Sequence, residues 1–286
     1  MNSDLKESVG WSETQYRRLK ELGARGTTLD ILFDNERQRD RAFQEREKTM
    51  VREAQERLDA FLAVGGKPQL VTLTENLANM LVSEGYRQVT TPTVITKYAL
   101  AKMTIDEQHP LFHQVFWLDG KQCLRPMLAP NLYSLMQDFG RRTVRPIRFF
   151  EIGSCFRKES NGANHTSEFT MLNIVEMGLP LEERQERLMH LASQVATTAG
   201  LTDFEFMEEE SEVYGKTLDM LAGSDRIEVG SGAMGPHPLD GAWGVRDTWV
   251  GMGFGLERMV MISQQDDTIG KWCRNLGFYD GIRLRV

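Results

Sequence analysis

The spacing of hydrophobic positions changes along this chain, and each change marks a different kind of element. In the first 65 residues apolar side chains recur at three- and four-residue steps, the period of a helix face. Tyr16, Leu19 and Leu22 share one such face, Ser12 with Gln15 reads as a capping box, and Gly23 as a C-terminal stop. From Asn35 to Val64 a charge-rich stretch carries Phe43, Met50, Val51, Ala54, Leu58, Phe61 and Leu62 at mostly the same steps. The run Gly65-Gly66-Lys67-Pro68 then breaks the pattern. It predicts a helical segment over 1–66 and a larger domain over 67–286.

Beyond the break, Leu70, Leu73, Leu77 and Leu81 predict a short amphipathic helix ending at Gly85. YRQVTTPTVI follows, rich in β-branched residues. Its Pro92 suits an edge strand or interface element rather than a central strand. Residues 115–124, VFWLDGKQCL, read as a hairpin around Asp119-Gly120. A second β pair, IRFFEIGSCF and EFTMLNIVEM, is joined by a polar loop; a helix follows over 181–199, and strands dominate from Phe204. The last strand runs into GMGFGLER (251–258), and a helix starts near Leu256. Helices flanking antiparallel strands predict an α+β fold rather than alternating parallel units.

Composition narrows the class. With 286 residues, 41% hydrophobic and 26% charged, the chain suits a globular protein with a sizeable core. A net charge of −7 announces no nucleic-acid partner, though a local basic face is compatible with it. Cys123, Cys155 and Cys273 are widely separated, which argues against a zinc ribbon or a disulfide framework and fits a reducing, cytoplasmic setting. No apolar run is long enough to span a membrane. The near-balanced charge of the first helices reads as a solvated face before it reads as a nucleic-acid contact.

Candidate chemistry concentrates in the loop of the second β pair. FRKESNGANHTSEF (156–169) sets Arg157, Lys158, Glu159 and His165 between two strands, and arginine is the natural bidentate partner of a carboxylate or phosphate. On the returning strand Phe169, Met171, Asn173, Val175 and Met177 share one face. Asn173 is the polar exception; it satisfies neighbouring backbone or awaits a ligand, and its residue type alone does not choose. GMGFGLER is not a dinucleotide loop, because its third glycine arrives one residue early and no strand–helix–strand unit follows. His109 and His113 stand four apart, but without H-E-x-x-H and with Pro110 disfavouring a continuing helix they predict no zinc site.

Three features in order, GYRQVTTP (85–92), FRKE (156–159) and GMGFGLER (251–258), resemble motifs 1, 2 and 3 of the class II aminoacyl-tRNA synthetases. LRPMLAPNLY (124–133), EFTMLN (168–173), VYGKTLDM (213–220), GAMGPHPLD (232–240) and WVGMGFGLER (249–258) are similar to the catalytic domain of pyrrolysine–tRNA ligases in particular, across most of 67–286. The resemblance implies a class II catalytic core: an antiparallel sheet flanked by helices, preceded by an N-terminal helical segment like that of members lacking a fused tRNA-binding domain. It implies ATP-dependent activation of an Nε-acylated lysine and transfer to a tRNA, the suppressor tRNA for pyrrolysine.

By the same resemblance Arg157 and Arg258 are the catalytic arginines. ATP is bound by these two with Glu159, His165, Phe169, Glu228 and Ser231, and Mg²⁺ is held by Glu228 and Ser231. The amino-acid pocket is Ala129, Leu132, Tyr133, Met136, Asn173, Val175, Tyr214, Ala233, Trp249 and Gly251. Physically this is a long, mostly apolar cavity with one amide. The RPMLAP segment (125–130) lacks an acidic residue for the substrate ammonium, which implies recognition through the side chain. The run Glu208-Glu209-Glu210 is a rival metal site, though three adjacent carboxylates in a loop are more often solvated. Two alternatives stand beside this reading: a class II enzyme for another large amino acid, such as an aromatic one, and a non-catalytic paralogue that binds tRNA or a partner. The Pro92 segment implies a homodimer, and a separate small tRNA-binding protein is compatible with the chain.

Overall fold

A computed structural model describes residues 8–158 and 166–284, which fall into two compact units, 1–67 with 275–286 and 68–274. In the first unit, α1 (Glu13–Glu21) opens on the expected capping box, with Ser12 and Gln15 each bonding the other's backbone N–H. Gly23 follows at φ +98°, a left-handed conformation that glycine adopts without strain. Helix α2 (Glu36–Val64) is capped by Asn35, whose side chain accepts from Gln38 N–H. Arg18 reaches Glu47 at 2.7 Å between the two helices. Only Ala54 of α2 is fully buried among its described residues, and Leu62 points away from the apolar face, 67% exposed. The closing residues add a short antiparallel pair, Phe278–Tyr279 with Ile282–Arg283.

The second unit is built on a seven-stranded sheet. Along the chain come α3 (Gln69–Ser83), β1 (Arg87–Gln88), β2 (Val94–Thr96), α4 (Lys97–Ala101), α5 (Pro110–Gln114), β3 (Gln122–Leu124), α6 (Ala129–Phe139), β4 (Ile147–Phe156), β5 (Glu168–Met177) and α7 (Arg184–Thr198). They are followed by β6 (Phe204–Ser211), β7 (Gly215–Ala222), β8 (Ile227–Gly235), α8 (Asp240–Trp243), β9 (Trp249–Gly255) and α9 (Leu256–Ser263). The sheet order is β1-β4-β5-β9-β8-β7-β6, and every pairing is antiparallel except β1 with β4 at one edge. The expected α+β architecture is present, and β4 and β5 coincide with the two runs read from sequence.

The sheet has two buried faces of different character. On one, Phe150, Leu172, Ile174, Val250, Met252 and Phe254 meet Leu73, Leu77 and Leu81 of α3, with apolar residues of α7 and α9. Leu77 is wholly buried there, so Leu77→Ala is expected to cost about 2–5 kcal/mol. On the other, Val175, Ala233 and Trp249 meet Leu132, Tyr133 and Met136 of α6. The strands therefore read as nearly continuous apolar runs, because both faces are covered.

Local details depart from the sequence reading in three places. Asp119 does make the turn, its Oδ1 accepting from the N–H groups of Lys121 and Gln122, but β3 takes β2 as its strand partner and the first hairpin arm contributes one bridge, Trp117 to Cys123. Pro110 does not interrupt a helix; it opens α5, where the missing N–H costs nothing, with His109 as the cap. Glu208, Glu209 and Glu210 lie on the edge strand β6, not in a loop.

Candidate active site

Three adjacent strands supply the floor of a cavity of about 690 Å³. Register places Asn173 opposite Gly253 and Val175 opposite Gly251, with Ala233 and Ser231 of β8 facing the same two glycines. The glycines are there because side chains would fill the space: a Cβ at Gly253 would lie 2.8 Å from Asn173 Oδ1, and one at Gly251 would lie 3.4 Å from the Trp249 ring. The described site residues read from sequence all line this one cavity. Glu159 and His165 lie outside the described residues.

One end of the cavity is apolar and aromatic. Tyr133 stacks on Trp243 with ring centroids 5.5 Å apart and meets Trp249 edge-on at 5.7 Å. Trp249 Nε1 donates to both oxygens of buried Asp240, at 3.0 and 3.1 Å, which fixes its ring. Tyr214 stands in the turn joining β6 to β7, where Ser211 Oγ accepts from the N–H groups of Val213 and Tyr214. Ala129, Leu132 and Met136 of α6 complete the wall. In this apolar setting three buried polar atoms have no partner among the described residues: Tyr133 Oη, Trp243 Nε1 and Asn173 Oδ1. A buried amide oxygen left bare costs about 1–3 kcal/mol, so the site holds unmet capacity for a polar group on an otherwise apolar ligand. The backbone-satisfying alternative for Asn173 Oδ1 is not what the structure shows.

The other end is charged. Arg157, at the end of β4, donates from Nε to the Pro126 carbonyl at 2.9 Å, and its guanidinium lies 5.3 Å from the Phe169 ring centre. Arg258, in the first turn of α9, donates to the Glu228 carbonyl at 3.0 Å and stands 3.9 Å from its carboxylate. Neighbouring Glu257 is buried and turned inward. Burial pushes its carboxyl pKa up, and hydrogen bonds from Thr170 N–H and Oγ, each 2.8 Å, work against that shift. It therefore ties α9 to β5, with Arg258 lining the cavity beside it.

Glu228 and Ser231 of β8 stand together with a residue the sequence reading missed. Asp219 of β7 lies opposite Ser231, and its Oδ1 accepts the Ser231 hydroxyl proton at 2.6 Å. That bond uses the hydroxyl's hydrogen and leaves its lone pairs available. Shielding from water raises the Glu228 pKa, Arg258 opposes the shift, and Asp219 reinforces it. Two carboxylates and a hydroxyl are the hard oxygen donors that Mg²⁺ takes, and a dication there would relieve their mutual repulsion, so the residues fit the metal. The only sequence trace of Asp219 is a lone acid inside the apolar strand TLDML.

A second omission lies beneath the site. Arg125 and Glu151 form an ion pair at 2.8 Å, both nearly inaccessible to water. Glu151 accepts from Thr91 N–H and Oγ, while Arg125 bonds the carbonyls of Thr91 and Ser154. The pair locks the Pro92 segment to β4, the strand that runs directly into Arg157.

Comparison with known proteins follows this geometry. Residues 59–280 match the family described as tRNA synthetases class II core domain (F). Phenylalanine–tRNA ligase alpha subunits of Prochlorococcus marinus (strain MIT 9313) and Thermosynechococcus vestitus are each 24% identical to this chain, over 73% and 88% of it. The chain spans 63% of the first relative's length, less than two thirds, and 77% of the second's. Two solved structures of pyrrolysyl-tRNA synthetase from Desulfitobacterium hafniense are much nearer. They are 51% and 50% identical, cover 97% and 100% of this chain and 99% of their own in each case, and superpose with TM-scores of 0.91 and 0.90. The chain thus belongs to the class II tRNA synthetases and, within them, to the pyrrolysyl-tRNA synthetase family.

Proposed function

We propose that this aminoacyl-tRNA ligase activates pyrrolysine, or a closely similar Nε-acylated lysine, with ATP and transfers it to the 3′ end of its cognate tRNA. The observation that carries this reading is the bare amide of Asn173 within a long aromatic cavity whose opposite end holds Arg157. A lysine chain spans such a cavity, and the N–H of its ε-acyl amide would donate to the bare Oδ1 of Asn173. An aromatic side chain would leave Asn173 unmet, and a non-catalytic paralogue has no need of Arg157, Glu228 and Arg258 in one site. Neither alternative is favoured.

In the first step a carboxylate oxygen of the amino acid attacks the α-phosphorus of ATP, an O–P bond forms, and the bond to pyrophosphate breaks. Charge builds on the α-phosphate, and Arg157 would neutralise it while holding the two reactants together. Phe169 offers a flat apolar face for adenine, and Arg258 a cation for the far phosphates. Glu228 and Ser231, with Asp219 behind them, would hold Mg²⁺, which supplies further neutralisation of phosphate charge. In the second step a terminal ribose hydroxyl of the tRNA attacks the acyl carbon and AMP leaves. Neither step needs a covalent bond to the protein.

Pairing of two copies through the Pro92 segment, a tRNA contact by the first helices, help from a separate tRNA-binding protein and a cytoplasmic setting belong to the same proposal. No helix among the described residues is long and apolar enough to cross a membrane. The test is ATP–pyrophosphate exchange dependent on pyrrolysine or Nε-carbamoyl-lysine, compared with the standard twenty amino acids. Exchange with a lysine derivative is expected, and it should vanish in Arg157→Ala with the fold retained. Exchange with phenylalanine alone would reject the assignment.

A further inference from the structure

His109 has no part in the scheme above, yet it lines the same cavity. Its two ring nitrogens are in different situations. Nδ1 accepts the Leu111 N–H at 3.1 Å and so caps the first turn of α5. A nitrogen that accepts carries no proton, so in the neutral ring the hydrogen sits on Nε2. That Nε2 is shut off from solvent and has no hydrogen-bond partner among the described residues. The ring therefore presents one committed donor with no acceptor among the described residues, a costly arrangement unless a ligand completes it.

The placement of α5 indicates what kind of ligand atom that is. The Lys158 N–H donates to the Gln114 carbonyl at 2.6 Å, which ties the C-terminal end of α5 to the residue after Arg157. Lys158 also stands 5.6 Å from the Phe116 ring centre, on the same side. His109 and Arg157 are thus walls of one cavity, set by segments that are bonded to each other. A donor in that setting suits the oxygens that gather negative charge during activation.

We infer that His109 is a further binding residue of this enzyme, donating from Nε2 to an anionic oxygen of the reacting pair. That oxygen belongs to the amino-acid carboxylate or to the phosphate chain of ATP, and the inference rests on the proposed activation reaction.

The test uses the full-length enzyme and two substitutions. His109→Asn keeps an acceptor at the position of Nδ1, so the cap on α5 survives, and removes only the Nε2 donor. His109→Ala removes both. For His109→Asn the expected result is a thermal midpoint equal to or above wild type, with KM for the amino acid or for ATP in pyrophosphate exchange raised roughly tenfold or more. A rise for the amino acid identifies the carboxylate; a rise for ATP identifies the phosphate. His109→Ala should show the same KM change and also lose stability. If His109→Asn matches wild type in both constants, or alters only transfer to tRNA, the inference is overturned. Should the wild-type enzyme exchange with no lysine derivative, the functional reading fails first, and calorimetric titration of ATP into wild type and His109→Asn decides this one. Weaker binding by the variant supports it, and equal binding overturns it.

Discussion

Gly253 and Asn173 face each other across β9 and β5, and a Cβ on the glycine would stand 2.8 Å from the asparagine's Oδ1. The amide's position is therefore conditional on an absent side chain. Gly253→Ala should push Asn173 off its rotamer and lower kcat/KM for Nε-acyl-lysine substrates by on the order of a hundredfold, while destabilising the fold by about 1–3 kcal/mol. Steady-state exchange kinetics with thermal unfolding checks both parts. Asn173→Ala should retain stability but lose preference for Nε-acylated substrates, because the unmet acceptor disappears together with the contact it would make to the substrate's ε-N–H.

A cation outside the cavity steadies its aromatic wall. Lys102 Nζ lies 3.7 Å from the Trp243 ring centre, and Trp243 in turn stacks on Tyr133. Lys102→Met keeps the aliphatic stem and deletes the charge; it should cost about 0.5–2 kcal/mol of stability, with Lys102→Arg largely restoring it. Chemical denaturation of the three proteins measures this, and equal midpoints would remove the cation–π contact from the account.

Glu228 has a pKa raised above its unfolded value, which fixes the sign of its effect on stability. The folded state favours the neutral acid, so the ionised carboxylate destabilises at pH above the folded pKa, and this penalty fades below about 4.5. Because about half of the Glu228 side chain is open to water (51%), the effect is screened, and Glu228→Gln should raise the thermal midpoint at pH 7 only slightly, by no more than about a degree, with no gain at pH 4. The same variant should lose most exchange activity. A midpoint unchanged at both pH values would contradict the assignment.

Glu176 has the opposite sign. It is fully buried, and although burial alone would raise its pKa, hydrogen bonds from Tyr86, Arg148 and Arg187 outweigh that and hold it low. Its contribution is present above the unfolded pKa and disappears as pH falls through the lower folded value. Glu176→Gln strands two guanidinium partners and should destabilise by about 3–5 kcal/mol at pH 7, with a smaller difference in strong acid. Denaturant titrations at the two pH values provide the comparison.

Local patterning made much of this molecule legible. The capping box at Ser12, the helix period of Leu73, Leu77 and Leu81, and the apolar runs of β4 and β5 are each written within a few residues, and the structure reproduces them. Asp219 and Ser231, by contrast, meet only because β7 and β8 pair, and Arg125 finds Glu151 through a crossing of separate elements. Such contacts leave no local period. Pro110 shows a subtler limit: the same residue that ends a helix from within begins one from its first position, and only the cap contributed by His109 distinguishes the cases.

The sheet's two covered faces divide the labour of the strands residue by residue. On β5 and β9, alternate positions look into the cavity while those between are sealed against helices α3, α7 and α9. On the proposed function, changes at Val175, Ala233 or Gly251 would reshape what the cavity accepts, and because Val175 and Ala233 also pack against α6 they would carry a cost in stability. Positions that would tune the substrate and positions that seal the sheet against α3, α7 and α9 therefore alternate along the same strands, and since the cavity face is packed as well, a change in what the cavity admits draws on the stability of the fold.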